Sequence, residues 1–371
     1  MRIVELVNNL EIGGTERLVV DLATALKAKG HYLSVICLRG GGPLQGVLEQ
    51  AGMEVVLLDK PEGPTLRVLQ QLISYLKKNE IDVVHTHNPL VHHYGVVAGR
   101  LAGVPVIVNT IHGPGNLAAK SGLKELLYGV MCRWSDRVIA VCPTAFQVFR
   151  QRSIIPRSKL ITINNGIPLD VFLKVTPRAT DANFVFGIVG RLATVKDHRT
   201  LLEAFSIVIQ ARPECRLEIL GDGILRGDLE RHAHALGLAD NVIFHGYSAD
   251  VPAFMERINV SILCSLSEGL PLSVLEAMAS GIPVVGTDVG ETRDLIQAAR
   301  SGWFCPPKCP DKLAEAMLHA VTSRFEDRLA MGARARAFVV ENYSLNRMID
   351  NYERQFDQLL RAREFSSNRL S

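Results

Sequence analysis

Residues 260–287, VSILCSLSEGLPLSVLEAMASGIPVVGT, decide the fold class that this sequence predicts. An apolar run ends at Cys264, a polar loop follows, and a second apolar run, PVVGT, closes the segment. Pro271 suits the first turn of a helix, where its missing N–H costs nothing, and Gly281 suits a left-handed residue that ends one. We therefore predict two strands joined by a helix from about Pro271 to Ser280, which is a βαβ unit.

The same alternation of apolar runs and amphipathic segments extends along the chain and predicts repeated βα units on parallel sheets. The runs are continuous and rich in Val and Ile, as in strands that helices cover on both faces. The candidate strands are RIVELV, YLSVICL, MEVVLL, IDVVHT, PVIVNT, RVIAV and LITI in the first half, and FVFGIVG, RLEILG, NVIFHG, VSILC and PVVGT in the second. The fold class is therefore α/β, with doubly wound parallel sheets.

The length of 371 residues predicts two domains, because single cores stop growing at about 250–300 residues. Residues 164–183 contain two prolines and little periodicity, which is typical of a connection between domains. We predict Rossmann-like domains over 1–170 and 183–343, followed by a helix over about 344–363. Ligands of such sheets bind at the carboxyl ends of the strands, so the chemistry should lie in loops beside a cleft between the two domains.

Composition excludes several classes of protein. The net charge of +3 comes from scattered basic residues, which disfavours a nucleic-acid partner. The seven cysteines do not form a disulfide framework, so a reducing cytoplasm is favoured. The first apolar run is too short for a secretory signal, and no run is long enough for a transmembrane helix, so we expect only peripheral membrane contact.

Glycines and cations follow two of the predicted strands. Gly13 and Gly14 precede a helix, where glycine lets backbone N–H groups approach a diphosphate, although an ordinary tight turn explains them as well. Arg191 and Lys196 follow the strand FVFGIVG, where cations can stabilise a departing diphosphate. The alternative for Arg191 and for Lys196 is a solvated cation at the surface.

Glu268 and Glu276 are separated by eight positions, the first in the loop and the second inside the predicted helix. We predict that the free N–H groups from Leu270 to Ser273 bind an anion, and that the two carboxylates accept hydrogen bonds from sugar hydroxyls. A solvated loop carboxylate is the alternative for Glu268. Glu276 is flanked by apolar residues and needs a partner, since an unpaired buried carboxylate is costly.

Histidines raise a metal hypothesis that the sequence disfavours. His85, His87, His92 and His93 occur in HTHNPLVHH, but no Asp or Glu lies nearby, so we interpret them as a wall on the acceptor side rather than a metal site. CPPKC (305–309) lacks the spacing of a zinc site. His112 follows the strand PVIVNT, where it is either a packing residue or a ligand-binding residue.

Six motifs in order resemble family 4 of the glycosyltransferases, which have the GT-B fold. They are EGLPLSVLE, with its E-x7-E spacing, VGRLATVKDHRTLLEAF (189–205), GDG (221–223), FHGYSADVP (244–252), GIPVVGTDVGE (281–291) and the early GGTERLV with HTHN and IHG. The resemblance extends over almost the whole chain. It implies that the C-terminal helix folds back over the first domain.

The resemblance also implies an activity, which is transfer of a sugar from a nucleotide-sugar to a hydroxyl of a glycan or lipid-linked glycan. The resemblance implies that the transfer retains the anomeric configuration of the sugar and requires no metal or other cofactor. Catalytic residues by resemblance are His112, Arg191, Lys196 and Glu268. Donor-binding residues by resemblance are Gly13, Gly14, Gly190, Tyr247, Gly269, Leu270, Pro271, Leu272 and Glu276. A GT-B epimerase, a phosphorylase and a non-catalytic nucleotide-sugar-binding protein are the alternatives, and the setting implied is the cytoplasm, at the inner face of the membrane.

The segment 121–137, SGLKELLYGVMCRWSDR, combines apolar residues at helical spacing with basic residues. The simpler interpretation is an amphipathic helix whose apolar face covers the sheet. The alternative is a helix that lies at the bilayer surface beside a lipid-linked acceptor.

Overall fold

The computed structural model describes residues 1–112, 122–178 and 183–367. Contacts divide the chain into two units. Unit 1 comprises Met1–Asn165 together with Asn346–Ser371, and unit 2 comprises Gly166–Leu345.

Unit 1 contains a seven-stranded sheet in the order β3-β2-β1-β4-β5-β6-β7, and every adjacent pair of strands is parallel. Its strands are β1 (Arg2–Val7), β2 (Tyr32–Cys37), β3 (Glu54–Leu57), β4 (Val83–His87), β5 (Val106–Ile111), β6 (Arg137–Ala140) and β7 (Leu160–Thr162). Its helices within the first 165 residues are α1 (Gly14–Ala28), α2 (Gln45–Gln50), α3 (Leu66–Lys78), α4 (Pro89–Ala102), α5 (Gly122–Trp134) and α6 (Pro143–Arg152).

Unit 2 contains a six-stranded parallel sheet in the order β10-β9-β8-β11-β12-β13. Its strands are β8 (Val185–Val189), β9 (Arg216–Leu220), β10 (Val242–Gly246), β11 (Val260–Leu263), β12 (Val284–Thr287) and β13 (Gly302–Cys305). Its helices are α7 (Leu169–Phe172), α8 (His198–Ala211), α9 (Arg226–Ala235), α10 (Val251–Met255), α11 (Leu272–Ala279), α12 (Thr292–Ala299), α13 (Pro310–Thr322) and α14 (Phe325–Asn342), after which α15 (Leu345–Ser367) ends the described chain.

The predicted strands are all present, and both sheets are doubly wound as expected. β13 is an additional strand that the sequence analysis missed, because its segment, GWFC, is half-buried at the sheet edge and begins with a glycine. Within the described ranges, no helix is long and apolar enough to cross a bilayer.

Each sheet has one point at which the strand order reverses. In unit 1 this point lies between β1 and β4, and in unit 2 it lies between β8 and β11. Loops that leave the carboxyl ends of two such strands diverge, which opens a crevice where ligands of doubly wound sheets bind. The residues after these four strands are therefore the candidate ligand-binding residues of each unit.

The C-terminal helix α15 packs on unit 1 through two buried aromatic side chains. Tyr352 and Phe356 are fully buried, and their rings lie 5.2 Å and 5.4 Å from the ring of His85 on β4. Lys29 forms an ion pair with Glu353 on the same helix, and Nε2 of His31 lies at hydrogen-bond distance, 2.8 Å, from Oε1 of Glu353.

The helix α11 ends as predicted, because Gly281 adopts a φ of +74° directly after the C-cap residue Ser280. The backbone of Gly281 also lies against Gly332 of α14, so closely that a Cβ at position 332 would overlap the Gly281 carbonyl. α14 can approach α11 at this point because position 332 has no side chain.

We expect Gly332→Ala to destabilise unit 2 by about 1–3 kcal/mol, since neither backbone can move without disturbing packed helices. The measurement is the free energy of unfolding from urea denaturation. Gly227→Ala is the matched control, because no atom lies within 4 Å of a Cβ placed at that helical position. Equal stabilities of the two variants would contradict the proposed overlap.

Candidate active site

A lysine and a glutamate meet at the reversal point of unit 2. Lys196 ends a 3₁₀ turn, Thr194–Lys196, that follows β8, and Glu268 lies in the loop that follows β11. The Nζ of Lys196 donates to Oε1 of Glu268 at 2.6 Å, and the hydroxyl of Ser265 donates to the same oxygen at 2.6 Å. The structure thus brings together two residues that the sequence analysis assigned separately to the diphosphate and to the sugar.

Backbone hydrogen bonds hold the two loops against each other. The N–H of Leu266 donates to the carbonyl of Val195 at 2.8 Å, and the thiol of Cys264 donates to the carbonyl of Lys196. The backbone position of Lys196 is therefore fixed by the β11 loop as well as by its own turn.

Glu268 presents an open oxygen. Oε1 accepts both hydrogen bonds described above, whereas Oε2 has no protein partner among the described residues. The side chain of Glu268 is 13% exposed and that of Lys196 is 24% exposed, so both groups reach solvent from a largely covered position. An ionised carboxylate with one free oxygen is a good acceptor for a hydroxyl.

Arg191 lies five residues before Lys196 on the same loop. Its side chain is exposed and has no hydrogen-bond or ion-pair partner within the part of the chain that the structure describes. The loop itself is held in place from behind, because Leu192 exchanges backbone hydrogen bonds with Asp222 and Leu225 after β9. Gly190 begins this loop and donates its N–H to the carbonyl of Leu220.

Gly290 supports the Glu268 loop, and the sequence analysis did not include it among the site residues. It adopts a φ of +54°, and a Cβ there would lie 2.5 Å from the carbonyl oxygen of Gly269 and 2.6 Å from that of Glu268. The next residue, Glu291, donates its N–H to the carbonyl of Gly269 at 3.0 Å. The sequence contained a signal for this role, because Gly290 lies within the motif GIPVVGTDVGE (281–291).

The helix α11 begins beside Glu268 with Pro271 as its N-cap residue, and Leu270 is buried. The N–H groups of Leu272 and Ser273 lack acceptors within the helix, whereas the N–H of Val274 already donates to the carbonyl of Pro271. Glu276 lies one turn further along, half-buried, and its carbonyl accepts a hydrogen bond from the hydroxyl of Ser280. Tyr247, after β10, is 49% exposed, so its ring does not belong to the core.

In unit 1, Gly13 is the N-cap residue of α1 and Gly14 is the first residue of that helix, directly beyond the loop after β1. This placement agrees with the predicted turn.

Asn88, which follows β4, has a φ of 72° and is followed by Pro89, the first residue of α4.

His112, which is half-buried, is the end of a chain of hydrogen bonds whose other side chains are buried. Its Nε2 lies 2.9 Å from Nδ1 of His87, and Nε2 of His87 lies 2.7 Å from Oε2 of Glu5. The same carboxylate oxygen lies 2.9 Å from Nδ1 of His85. The chain continues from Nε2 of His85 through Thr110 to the hydroxyl of Tyr352 on α15.

Glu5 is the member that the sequence analysis missed. The statement that no Asp or Glu lies near His85 and His87 was wrong, because Glu5 is opposite His85 in the pairing of β1 with β4. The signal was available, since a glutamate within an otherwise apolar strand must have a buried partner. Every ring nitrogen of His85 and His87 has a hydrogen-bond partner, so the cluster is complete as a hydrogen-bond network.

The interpretation of HTHNPLVHH as an acceptor-side wall was wrong for three of its histidines. The side chains of His85, His87 and His92 are buried, so they do not line a surface. Nδ1 of His92 lies 2.9 Å from the hydroxyl of Thr86. His93 is half-buried.

The environment lowers the pKa values of three members of this network. Burial raises the pKa of Glu5, but Coulomb interactions and hydrogen bonds with His85 and His87 outweigh burial and lower the pKa to about 2. Burial, followed by the Coulomb interaction with His85, lowers the pKa of His87 to about 4. Burial likewise lowers the pKa of His112 well below its usual value.

The expectation that the apolar face of 121–137 covers the sheet was wrong for most of its residues. Tyr128, Met131 and Cys132 of α5 are buried. A stripe at positions 123, 126, 127, 130 and 134 is exposed instead, with Leu123 at 80%, Leu126 at 62% and Trp134 at 56%. Residues 113–121, including the rest of the IHG motif, lie outside the described residues.

Comparison with known families gives two adjacent matches. The model described as Glycosyltransferase Family 4 matches residues 12–171, and the model described as Glycosyl transferases group 1 matches residues 174–338. Together they extend over most of both units.

Individual relatives agree with the family matches. The chain is 25% identical to the UDP-Gal:alpha-D-GlcNAc-diphosphoundecaprenol alpha-1,3-galactosyltransferase of Escherichia coli, over 91% of this chain and 92% of that protein. It is 24% identical to the N-acetyl-alpha-D-glucosaminyl L-malate synthase of Bacillus anthracis, over 80% of each chain. Among solved structures, Anabaena HepE in complex with UDP-glucose superposes with a TM-score of 0.85 and 19% identity, covering 96% of this chain and 100% of that chain.

The buried histidines predict a pH dependence of stability. Burial lowers the pKa of His92 to about 3, whereas an unfolded histidine titrates near 6.5. As the pH falls below about 6.5, the unfolded chain therefore binds a proton that folded His92 does not, and stability decreases. We expect His92→Gln to reduce the slope of unfolding free energy against pH by up to about 1.4 kcal/mol per pH unit below that point.

The measurement is urea denaturation at several pH values between neutral and mildly acidic. His234→Gln, on the exposed side of α9, is the matched control. A slope for His92→Gln equal to that of the unmodified chain would contradict the assignment.

Proposed function

Because the chain belongs to family 4 of the glycosyltransferases and has their GT-B fold, we propose that it transfers a sugar from a nucleoside-diphosphate donor to a hydroxyl of a lipid-linked glycan. The observation that carries this proposal is the contact of Glu268 with Lys196 and Ser265 at the reversal point of unit 2. A cation and a carboxylate with a free oxygen are the groups that a diphosphate and a sugar hydroxyl require.

We assign the phosphate-binding role to Arg191, Lys196 and the first turn of α11. The bond between the sugar and the diphosphate breaks heterolytically, so negative charge develops on the departing phosphate oxygen. Two cations and the N–H groups at a helix N-terminus stabilise that charge. Losing one such contact raises the barrier by on the order of 3 kcal/mol.

We assign the sugar and nucleoside roles to the neighbouring residues. Oε2 of Glu268 accepts a hydrogen bond from a hydroxyl of the transferred sugar, and Glu276 accepts one from the ribose. The loop with Tyr247 contacts the nucleobase. Gly13 and Gly14 of unit 1 keep the donor-binding roles that the resemblance implies, and His112 keeps the catalytic role.

The reaction that we propose retains the anomeric configuration and uses no metal. The departing diphosphate oxygen accepts the proton of the acceptor hydroxyl while the acceptor oxygen bonds to the anomeric carbon on the same face. No side chain of unit 2 is assigned as a nucleophile, because Oε1 of Glu268 accepts from Lys196 and Ser265 and we assign its Oε2 to a sugar hydroxyl.

The acceptor that we propose, a lipid-linked glycan, has two supports. The relative from Escherichia coli is named for a diphosphoundecaprenol acceptor. In addition, α5 exposes an apolar stripe beside the exposed cations Lys124 and Arg133, and such a helix binds an anionic bilayer surface.

Removal of the Lys196 ammonium should abolish most of the activity. We expect Lys196→Ala to lower the rate of sugar transfer or donor hydrolysis by about 100- to 1000-fold, because the diphosphate loses one charge-stabilising contact. The measurement is release of nucleoside diphosphate from a panel of nucleotide-sugars, with the product configuration determined by NMR. Activity that survives EDTA is expected.

Lys312→Ala is the matched control, because Lys312 forms an exposed ion pair with Glu315 on α13. Turnover that requires inorganic phosphate would indicate a phosphorylase instead, and turnover without an acceptor hydroxyl would indicate an epimerase. Donor binding without any turnover would contradict an enzymatic role.

Vesicles test the membrane contact. We expect the fluorescence of Trp134 to shift to shorter wavelength on vesicles of anionic phospholipid, in a Trp303→Phe background, because the indole leaves water. Leu126→Glu should abolish both the shift and the cosedimentation of the protein with vesicles.

Leu329→Glu is the matched control, since Leu329 is an exposed leucine on α14 of unit 2. Equal vesicle binding by the two variants would contradict a role for α5.

A further inference from the structure

The hydrogen-bonded chain that ends at His112 determines which of its nitrogens carries a proton. Nδ1 of His85 lies 3.1 Å from Oε1 and 2.9 Å from Oε2 of Glu5, and Nε2 of His87 lies 2.7 Å from Oε2. Both rings therefore face the carboxyl group within hydrogen-bond distance, and a carboxylate there accepts a hydrogen bond from each of them. The lowered pKa of Glu5 agrees with the carboxylate form. The proton of His87 therefore lies on Nε2.

The other nitrogen of His87 then acts as an acceptor. His87 is buried, and its lowered pKa keeps it neutral near neutral pH, so Nδ1 carries a lone pair. This Nδ1 lies 2.9 Å from Nε2 of His112. Two lone pairs cannot form a hydrogen bond, so Nε2 of His112 carries the proton that donates to His87.

The tautomer of His112 follows from this arrangement. Its lowered pKa makes it neutral, so Nδ1 has no proton and is an acceptor. Nδ1 has no hydrogen-bond partner among the described residues. His112 therefore offers an acceptor to a ligand, which suits a hydroxyl group and does not suit an anionic group.

We propose that Glu5 and His87 are positioning residues that fix His112 as a neutral acceptor at Nδ1, so that it binds a hydroxyl of the sugar and rejects an anionic group there. This inference rests on the proposed function for the identity of the ligand. Neither residue touches the sugar. Glu5 acts through His87, and His87 acts through His112.

The other end of the chain fixes the position of Glu5. His85 contacts the carboxylate through Nδ1, and its Nε2 lies 2.8 Å from the hydroxyl of Thr110. The hydroxyl of Tyr352 on α15 lies 3.1 Å from that of Thr110 and is the last member of the network. All of these side chains are buried. The carboxylate therefore has one available geometry, in which it faces both imidazoles.

Long-range ¹H–¹⁵N NMR of histidine-labelled protein reads the tautomers directly and needs no substrate. We expect His87 and His112 to be neutral with the proton on Nε2 near neutral pH, with resonances assigned by His87→Gln and His112→Gln. A protonated Nδ1 or an imidazolium at His112 would overturn the proposal. Because the spectrum is independent of the donor, a failure to find sugar transfer refutes only the proposed function.

Glu5→Gln tests the role of the carboxylate. The amide both donates and accepts, so we expect Nδ1–H to appear at His112. We expect the kcat of donor turnover to fall by roughly 10- to 100-fold, as it does when a carboxylate that orients a metal-bound histidine is lost. Glu353→Gln is the matched control, because Glu353 accepts from His31 at 2.8 Å at the surface of the same unit. Unchanged tautomers in Glu5→Gln would overturn the role of Glu5, and if this variant does not fold, the spectrum of the unmodified chain decides.

Discussion

Parallel strand pairing is the constraint on which the rest of this structure depends. In a parallel sheet all strands end at the same edge, so the loops that leave neighbouring strands meet there although they are distant in sequence. Lys196 and Glu268 are separated by 72 positions and lie 2.6 Å apart because β8 and β11 are adjacent. Glu5 and His85 are separated by 80 positions and are cross-strand neighbours for the same reason.

The two units satisfy their charges in different ways. In unit 2, the ion pair of Lys196 and Glu268 remains partly exposed, so solvent screens it and a ligand can replace one side of it. In unit 1, Glu5 is fully buried and faces the ring nitrogens of two imidazoles, which confines the protons to fixed positions. An exposed pair can exchange partners, whereas a buried network keeps its arrangement and transmits it to the residue at its end, His112.

The surface of α5 shows why apolar periodicity alone does not reveal which face of a helix is buried. The stripe from Leu123 to Trp134 has the spacing of a core face, yet the helix packs through Tyr128, whose hydroxyl donates to Asn109 on β5 at 2.6 Å. Because Tyr128 reaches a polar group within the sheet, it anchors the opposite side of the helix. The leucine stripe is consequently exposed.

The sequence by itself determined the strands, the α/β class, the position of α11 and the family, because these follow from local patterns of apolar residues, Pro271, Gly281 and ordered motifs. It also placed Arg191, Lys196, Glu268 and His112 directly after strands. Only the tertiary structure decided that Lys196 pairs with Glu268, that Gly290 supports their loop and that Glu5 lies between two histidines. These are contacts between segments far apart in the chain, and their distances depend on strand order and register, which no local pattern specifies.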